Sequence, residues 1–343
     1  MRVLYVSRAC TPHDRRFLAA LTAAGHAVGF LPAGEALSDP AGLPKGVSLR
    51  SGSIAEAVSF FQPDVTQAGP VPTSAYLAAK AEIHPLVAVS WGSDILAAGE
   101  KDRSKARFVL DRCDLFLCDS LEVAGAARRI SGISADRVVR FPWGVELSRF
   151  VPAPVRSTVM NVVSTRSWEP GYGIETVLTA FAAARLLEPQ LSLTLFGGGS
   201  LESRIRRFIA KNNLEHAVLL RGGVPEAELP LYLAAADLYL SAAPVDGSSI
   251  SLLEALATGL PAIVTDRPSN REWVTPHVNG WVAPPGDARA FSDAIVQAVR
   301  TPFVEREKMR TANIALVRAR ADWTKHAATY LRALDSVAGA VPA

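Results

Sequence analysis

The sequence predicts an α/β protein built from two Rossmann-like, doubly wound domains. Three observations carry this. Apolar, strand-like runs alternate with amphipathic, helix-like runs along the whole chain, the pattern of βαβ units and parallel sheets. Several runs, such as "LVAV" at 86–89, are continuously apolar, as suits strands covered on both faces. And 343 residues, 49% of them hydrophobic, are too many for one ordinary core and enough for two. Taken in order, the first-half strands are "RVLYVS", "AVGFL", "VSLRS", "DVTQAG", "LVAVSW" and "LFLCDS", with helical segments such as "HDRRFLAALTAAG" and "SKARFVLDRCD" between them. The second half repeats the rhythm with "MNVVSTR", "LSLTLFG", "AVLLRGG", "LYLSAA", "PAIVTD" and "GWVAPPG". The Pro-rich "RFVPAPVRSTV" reads as a linker near residues 150–157, which sets domains at 1–153 and 154–322. Ligands are expected at the C-terminal ends of the strands and in a cleft that the two domains face.

Charge and composition exclude some classes. Thirty-six Lys plus Arg against 33 Asp plus Glu leave a net charge of +3, without the concentrated basic face that nucleic acid demands. Three cysteines without metal-ligand spacing fit a reducing cytoplasm, and Cys113 and Cys118 read as core fillers. The opening "MRVLYVSRAC" reads as a strand, not a signal peptide. No apolar run reaches the ~20 residues that span a bilayer, so membrane contact is expected to be peripheral at most, at the inner face. No G-x-G-x-x-G follows the first strand, which weighs against a dinucleotide-dependent oxidoreductase.

The chemistry gathers just after the strands of the second half. "MNVVST" leads to Arg166, "LSLTLF" to the Gly197–Gly199 turn containing Gly198, and "LYLSAAP" to "DGSSIS" at 246–251. In "PVDGSSISLLEALATGLPAIVTD", Leu252, Leu253, Leu256 and Leu260 have helical spacing, Gly259 stops the helix, and Pro261 opens the next strand. The run Gly247, Ser248, Ser249, Ile250, Ser251 feeds straight into that helix, so free backbone N–H groups make an anion site. Asp246 lies just outside it and Glu254 roughly two turns in. A glycine turn admits close backbone approach, and a guanidinium offers a forked phosphate contact. Carboxylates on either side would accept hydrogen bonds from sugar hydroxyls. A nucleoside diphosphate sugar has that layout: ribose, diphosphate, hexose.

"DGSSISLLEALATGLPAIVTD" resembles the acid–seven residues–acid signature of retaining glycosyltransferases of family 4, which have the two-Rossmann GT-B fold. "STRSWEPGYGIETVLTAF", "RGGVPEAELPLYLAAADLYLSAA", "FPWGVELSRFVP" and "NREWVTPHVNGWVAPPGD" resemble other segments of that family, so the likeness runs over nearly the whole chain. The resemblance implies that Glu254 holds the ribose hydroxyls and Asp246 the donor sugar. It implies that the backbone of Ser249, Ile250 and Ser251 cradles the diphosphate and that Arg166 pairs with it. It further implies front-face attack with retained configuration and no metal or other cofactor, the nucleotide sugar being the donor substrate. The acceptor would be a carbohydrate, lipid-linked or small-molecule hydroxyl, in glycan, polysaccharide or glycolipid biosynthesis.

The sequence also departs from that pattern. The first acid is Asp246 where the family usually has Glu, and six residues past Arg166 stands Tyr172 where the family has Lys. Another cation is then needed, with Arg8, Arg15 and Arg16 as candidates. The first-lobe loop "SRACTPHDRRF" is bulky and polar, offering Arg8 and His13, and "VSWGSDIL" puts Trp91 where the family often has His, followed by Asp94. An indole cannot exchange protons, so Trp91 would stack or shape a site, while Asp94 would bind a sugar hydroxyl or cap the following helix. These departures keep open a non-catalytic protein or a pseudo-glycosyltransferase of the same fold. Finally, Trp323, Ala327, Tyr330 and Leu331 line one face of a last helix. The resemblance implies that this helix, residues 323–343, packs back on the first domain.

Overall fold

The computed structural model describes residues 1–34, 42–152 and 161–339. They form thirteen parallel strands in two sheets, one of seven strands in the order β3-β2-β1-β4-β5-β6-β7 and one of six in the order β10-β9-β8-β11-β12-β13. The first sheet comprises β1 (Arg2–Ser7), β2 (Ala27–Pro32), β3 (Val47–Leu49), β4 (Val65–Ala68), β5 (Leu86–Val89), β6 (Leu115–Cys118) and β7 (Val138–Arg140). The second comprises β8 (Asn161–Ser164), β9 (Ser192–Phe196), β10 (Val218–Gly222), β11 (Leu238–Ser241), β12 (Ala262–Thr265) and β13 (Gly280–Ala283). Each sheet is wound outward in both directions from its first strand, so the order reverses between β1 and β4 and again between β8 and β11. Ligands of such sheets sit outside the strand ends at that reversal. Strand β7 was not among the expected strands. It is a short edge strand with intermediate and exposed residues, so it lacks the apolar run that marks the others.

The first compact unit holds residues 1–142 together with the chain from Thr324 onward, and the second holds 143–323. The division falls at Pro142, ahead of the expected 153. Trp143, Val145 and Phe150 explain the shift, being 2%, 0% and 2% exposed. Val145 and Phe150 belong to the second unit's core, and Val145 exchanges backbone hydrogen bonds with Ala321 and Trp323. The expected linker is therefore structured as far as Phe150, and its residues 153–157 lie outside the described ones. In the second sheet alternate residues serve opposite faces. Val162, Leu238 and Leu240 pack in one apolar cluster, and Val163 and Tyr239 in another with the leucines of helix Ile250–Ala257. Double-sided burial is the reason these runs read as continuous rather than alternating. Cys113 and Cys118 are buried fillers as expected.

The first unit is closed by the last helix, Trp323–Ala338. Tyr330 is fully buried; its hydroxyl donates to Gln67 Oε1 at 2.5 Å, and its ring meets Phe17 edge-on at 4.7 Å. His326 stacks on Phe141 at 6.0 Å. The buried stripe runs through Trp323, Tyr330, Ala333 and Leu334, whereas Ala327 and Leu331 are only half-buried. It is thus offset by part of a turn from the face expected. Among the described residues no helix is long and apolar enough to cross a membrane. Tyr330→Ala should cost about 3–5 kcal/mol of unfolding free energy, in line with emptying a core aromatic position. Tyr330→Phe, which leaves the buried Gln67 oxygen without its donor, should cost about 1–3 kcal/mol. Urea titration followed by tryptophan fluorescence measures both; equal, small losses would show that the ring is not holding the helix down.

Candidate functional site

At the reversal between β8 and β11 the chain brings together residues far apart in sequence. Strand β8 ends at Ser164 and delivers Arg166; β11, its neighbour through Tyr239 and Val163, delivers the loop from Asp246 to the helix Ile250–Ala257. Arg166 is 9% exposed. Its Nη2 pairs with Asp246 Oδ2 at 2.7 Å, and its Nη1 donates to Ser249 Oγ at 2.6 Å and Ser251 Oγ at 2.9 Å. Burial works against the guanidinium charge, but Asp246, with the Tyr239 and Tyr172 phenols behind it, holds its pKa above the ordinary arginine value.

The helix start is built by the serines. Ser249 is the N-cap, its hydroxyl accepting from Leu252 N–H, so one side chain both starts the helix and receives Arg166. The amides of Ile250 and Ser251 lie in the first turn, where no residue four back can accept from them. Neighbouring bonds hold the preceding loop: Trp273 Nε1–H donates to Ser248 Oγ at 3.2 Å, and the Ser269 hydroxyl to the Asp246 carbonyl at 2.8 Å. The result is a cation and a helix N-terminus on one spot, an arrangement suited to an anion. Glu254 is half-buried on this helix. The helix begins only at Ile250, which places Glu254 a little over one turn past the cap rather than two.

Gly198 accepts from Trp168 N–H through its carbonyl at 2.9 Å, and a Cβ on it would meet nothing within 4 Å. The neighbour Gly199 is the sterically required one: at φ 155° a Cβ would stand 2.4 Å from the Trp168 carbonyl oxygen. Two residues of the site were missed in the sequence. Tyr239, inside an apolar strand, donates from its hydroxyl to Ser251 Oγ at 3.0 Å, and burial pushes its phenol pKa up. Tyr172, noted only as a missing lysine, lays its ring 4.7 Å from the Arg166 guanidinium carbon. A polar-tipped residue in a buried strand was the available signal for Tyr239; nothing in the sequence pointed Tyr172 at Arg166.

The first unit carries the remaining candidates. His13, at the start of helix Pro12–Ala23, stacks on Trp91 with ring centroids 5.5 Å apart, and Phe17 tilts against the same indole at 5.8 Å. Asp94 is tied into the first unit by hydrogen bonds. It accepts from Val71 N–H at 2.9 Å and Ser90 Oγ–H at 2.6 Å, stitching together the segments that follow β4 and β5. Burial raises its carboxyl pKa against the pull of those bonds. Arg8 is exposed, and among the described residues nothing hydrogen-bonds or ion-pairs with its side chain. Arg15 donates to the Cys10 carbonyl at 3.2 Å.

Comparison with known proteins supplies the family. Residues 154–336, more than half of the chain and all of the Arg166 site, match the family model described as glycosyl transferases group 1. The amylovoran biosynthesis glycosyltransferase AmsK of Erwinia amylovora is 33% identical over 127 residues, 34% of this chain and 31% of that protein. The phosphatidyl-myo-inositol mannosyltransferase of Mycobacterium leprae is 30% identical over 227 residues, 64% of this chain and 59% of that protein. The matched segments thus span less than two thirds of either relative. In fold, the chain resembles Anabaena Alr3699/HepE, solved in complex with UDP-glucose, with a TM-score of 0.82 at 19% identity, covering 98% of this chain and 100% of that one. With the fold of a GT-B glycosyltransferase and a family match over the whole Arg166 site, the chain belongs to the glycosyl transferases group 1.

Proposed function

We propose that the protein is a retaining, metal-independent hexosyltransferase of family 4. It moves a sugar from a nucleoside diphosphate sugar, UDP-linked, to the hydroxyl of a carbohydrate, lipid-linked or small-molecule acceptor, in polysaccharide or glycolipid biosynthesis. It works in the cytoplasm with at most peripheral membrane contact. The observation that carries this reading is the buried Arg166, joined to Asp246, Ser249 and Ser251 at a helix N-terminus on the switch point of the second sheet. The names of the relatives and the UDP-glucose complex of HepE support the substrate class.

In this reading the diphosphate takes its positive charge from Arg166 and its hydrogen bonds from the Ile250 and Ser251 amides. The bond from the anomeric carbon to the leaving oxygen breaks with its electron pair going to the diphosphate. The acceptor oxygen bonds to the same face of that carbon, and its proton passes to a leaving phosphate oxygen. The protein's share is positioning and charge stabilisation. Glu254 receives the ribose hydroxyls and Asp246 those of the donor sugar.

Four outcomes test the assignment. Glu254→Ala should weaken UDP binding by about 10- to 150-fold, the equivalent of losing a charged acceptor worth ~1.5–3 kcal/mol; calorimetric titration giving unchanged affinity would remove Glu254 from the site. Asp246→Asn should leave UDP affinity intact or raise it, because the carboxylate competes with phosphate for Arg166, while transfer falls. A parallel fall in both would make Asp246 a loop anchor. Binding of UDP without any transfer in the wild-type protein would favour the non-catalytic or pseudo-glycosyltransferase alternative. Turnover should persist in EDTA, measured as UDP release; full loss restored by Mg or Mn would mean that a metal shares the diphosphate with Arg166.

A further inference from the structure

The loop after Arg166 is pinned at several points. Trp168 N–H donates to the Gly198 carbonyl at 2.9 Å and Leu201 N–H to the Trp168 carbonyl at 3.0 Å. The Glu169 carboxylate takes the Ser200 amide at 2.8 Å and the Ser200 hydroxyl as well. Pro170–Tyr172 then forms a single 3₁₀ turn, closed by Tyr172 N–H on the Glu169 carbonyl at 3.0 Å. The next residue, Gly173, has φ 67°, and a Cβ there would stand 2.1 Å from the Ala242 carbonyl oxygen. Only glycine lets the turn press this closely on the end of β11. The consequence is a fixed backbone under Tyr172.

Arg166 is engaged through both terminal nitrogens and through one face of its plane. Nη2 is on Asp246, Nη1 on two serine hydroxyls, and one face of the plane on the Tyr172 ring, while Nε is buried and has no hydrogen-bond partner among the described residues. We propose that Tyr172 is a positioning residue for the donor diphosphate, its ring holding the Arg166 guanidinium in place as the anion at Nη2 changes from carboxylate to phosphate. This rests on the diphosphate reading of the site given above. Asp246 and an incoming phosphate compete for the same nitrogen, so that contact is exchanged on binding. The ring contact is not. A ring face carries partial negative charge and attracts a guanidinium most where water is excluded. Tyr172 therefore offsets part of the desolvation of Arg166 without offering a carboxylate that would repel the ligand.

The test first removes the hydroxyl and then, keeping the ring, lowers its electron density step by step. Position 172 is converted Tyr172→Phe, and then to the phenylalanine analogues carrying one, two and three ring fluorines, and UDP affinity is measured by calorimetry. The expected result is a stepwise rise in the UDP dissociation constant with each fluorine, about 3- to 30-fold across the series. A flat series in proteins that still bind UDP overturns the inference and leaves the donor site standing. A single loss at Tyr172→Phe followed by a flat series also overturns it, since the hydroxyl rather than the ring would then be the contact. Absence of binding by the wild-type protein to each of UDP, GDP, ADP and dTDP overturns the donor-site reading, and the role of Tyr172 with it.

Discussion

The pairing of Arg166 with Asp246 is the contact around which the second unit's site is organised. Taking a guanidinium out of water costs several kcal/mol, and only a partner in good geometry offsets this. The fold supplies that partner by reversing its strand order between β8 and β11, which puts the exits of two sequence-distant strands side by side. The same guanidinium reaches Ser249, and Ser249 is also the cap of helix Ile250–Ala257. Ion pair, helix start and serine cluster are thus one connected network. A buried ion pair is weak evidence for stability, since apolar residues of like volume often do as well. Its position at the sheet's ligand-binding edge is what gives it a chemical reading.

The meeting of Arg166 with the Asp246–Ser251 loop was legible in the sequence because it depends on local order. Arg166, Gly198 and the Asp246–Ser251 loop each follow an apolar run, and strand ends can be read from such runs. The acid pair and its intervening serines carried the helix N-terminus with them. What could not be read were partnerships made only by packing. Tyr239 and Ser251, and Tyr172 and Arg166, meet because a strand face and a turn are placed by long-range contacts. The same holds for Asp94, whose donor Val71 lies 23 residues away.

The same distinction explains the domain boundary. The Pro-rich "RFVPAPVRSTV" is punctuated as a linker is, which leaves the run "FPWGVELS" ahead of it to the first domain. Yet Val145 in that run and Phe150 at the linker's start are buried in the second unit's core. Apolar content outweighed breaker content there. For the last helix the periodicity was legible but its phase was slightly off, because Ala333 and Leu334 complete the buried stripe where Leu331 was expected to.

The return of the chain from Thr324 has a consequence for synthesis. Residues 143–323 are contiguous, so the second unit has all its strands once that stretch has left the ribosome. The first unit, begun earliest, cannot seat Tyr330 between Phe17 and Gln67 until the second has been translated. At about 5–20 residues per second, the nascent chain carries an uncovered apolar face beside Phe17 for roughly ten seconds or more. Over that interval the first unit lacks the helix that covers Phe17 with Tyr330.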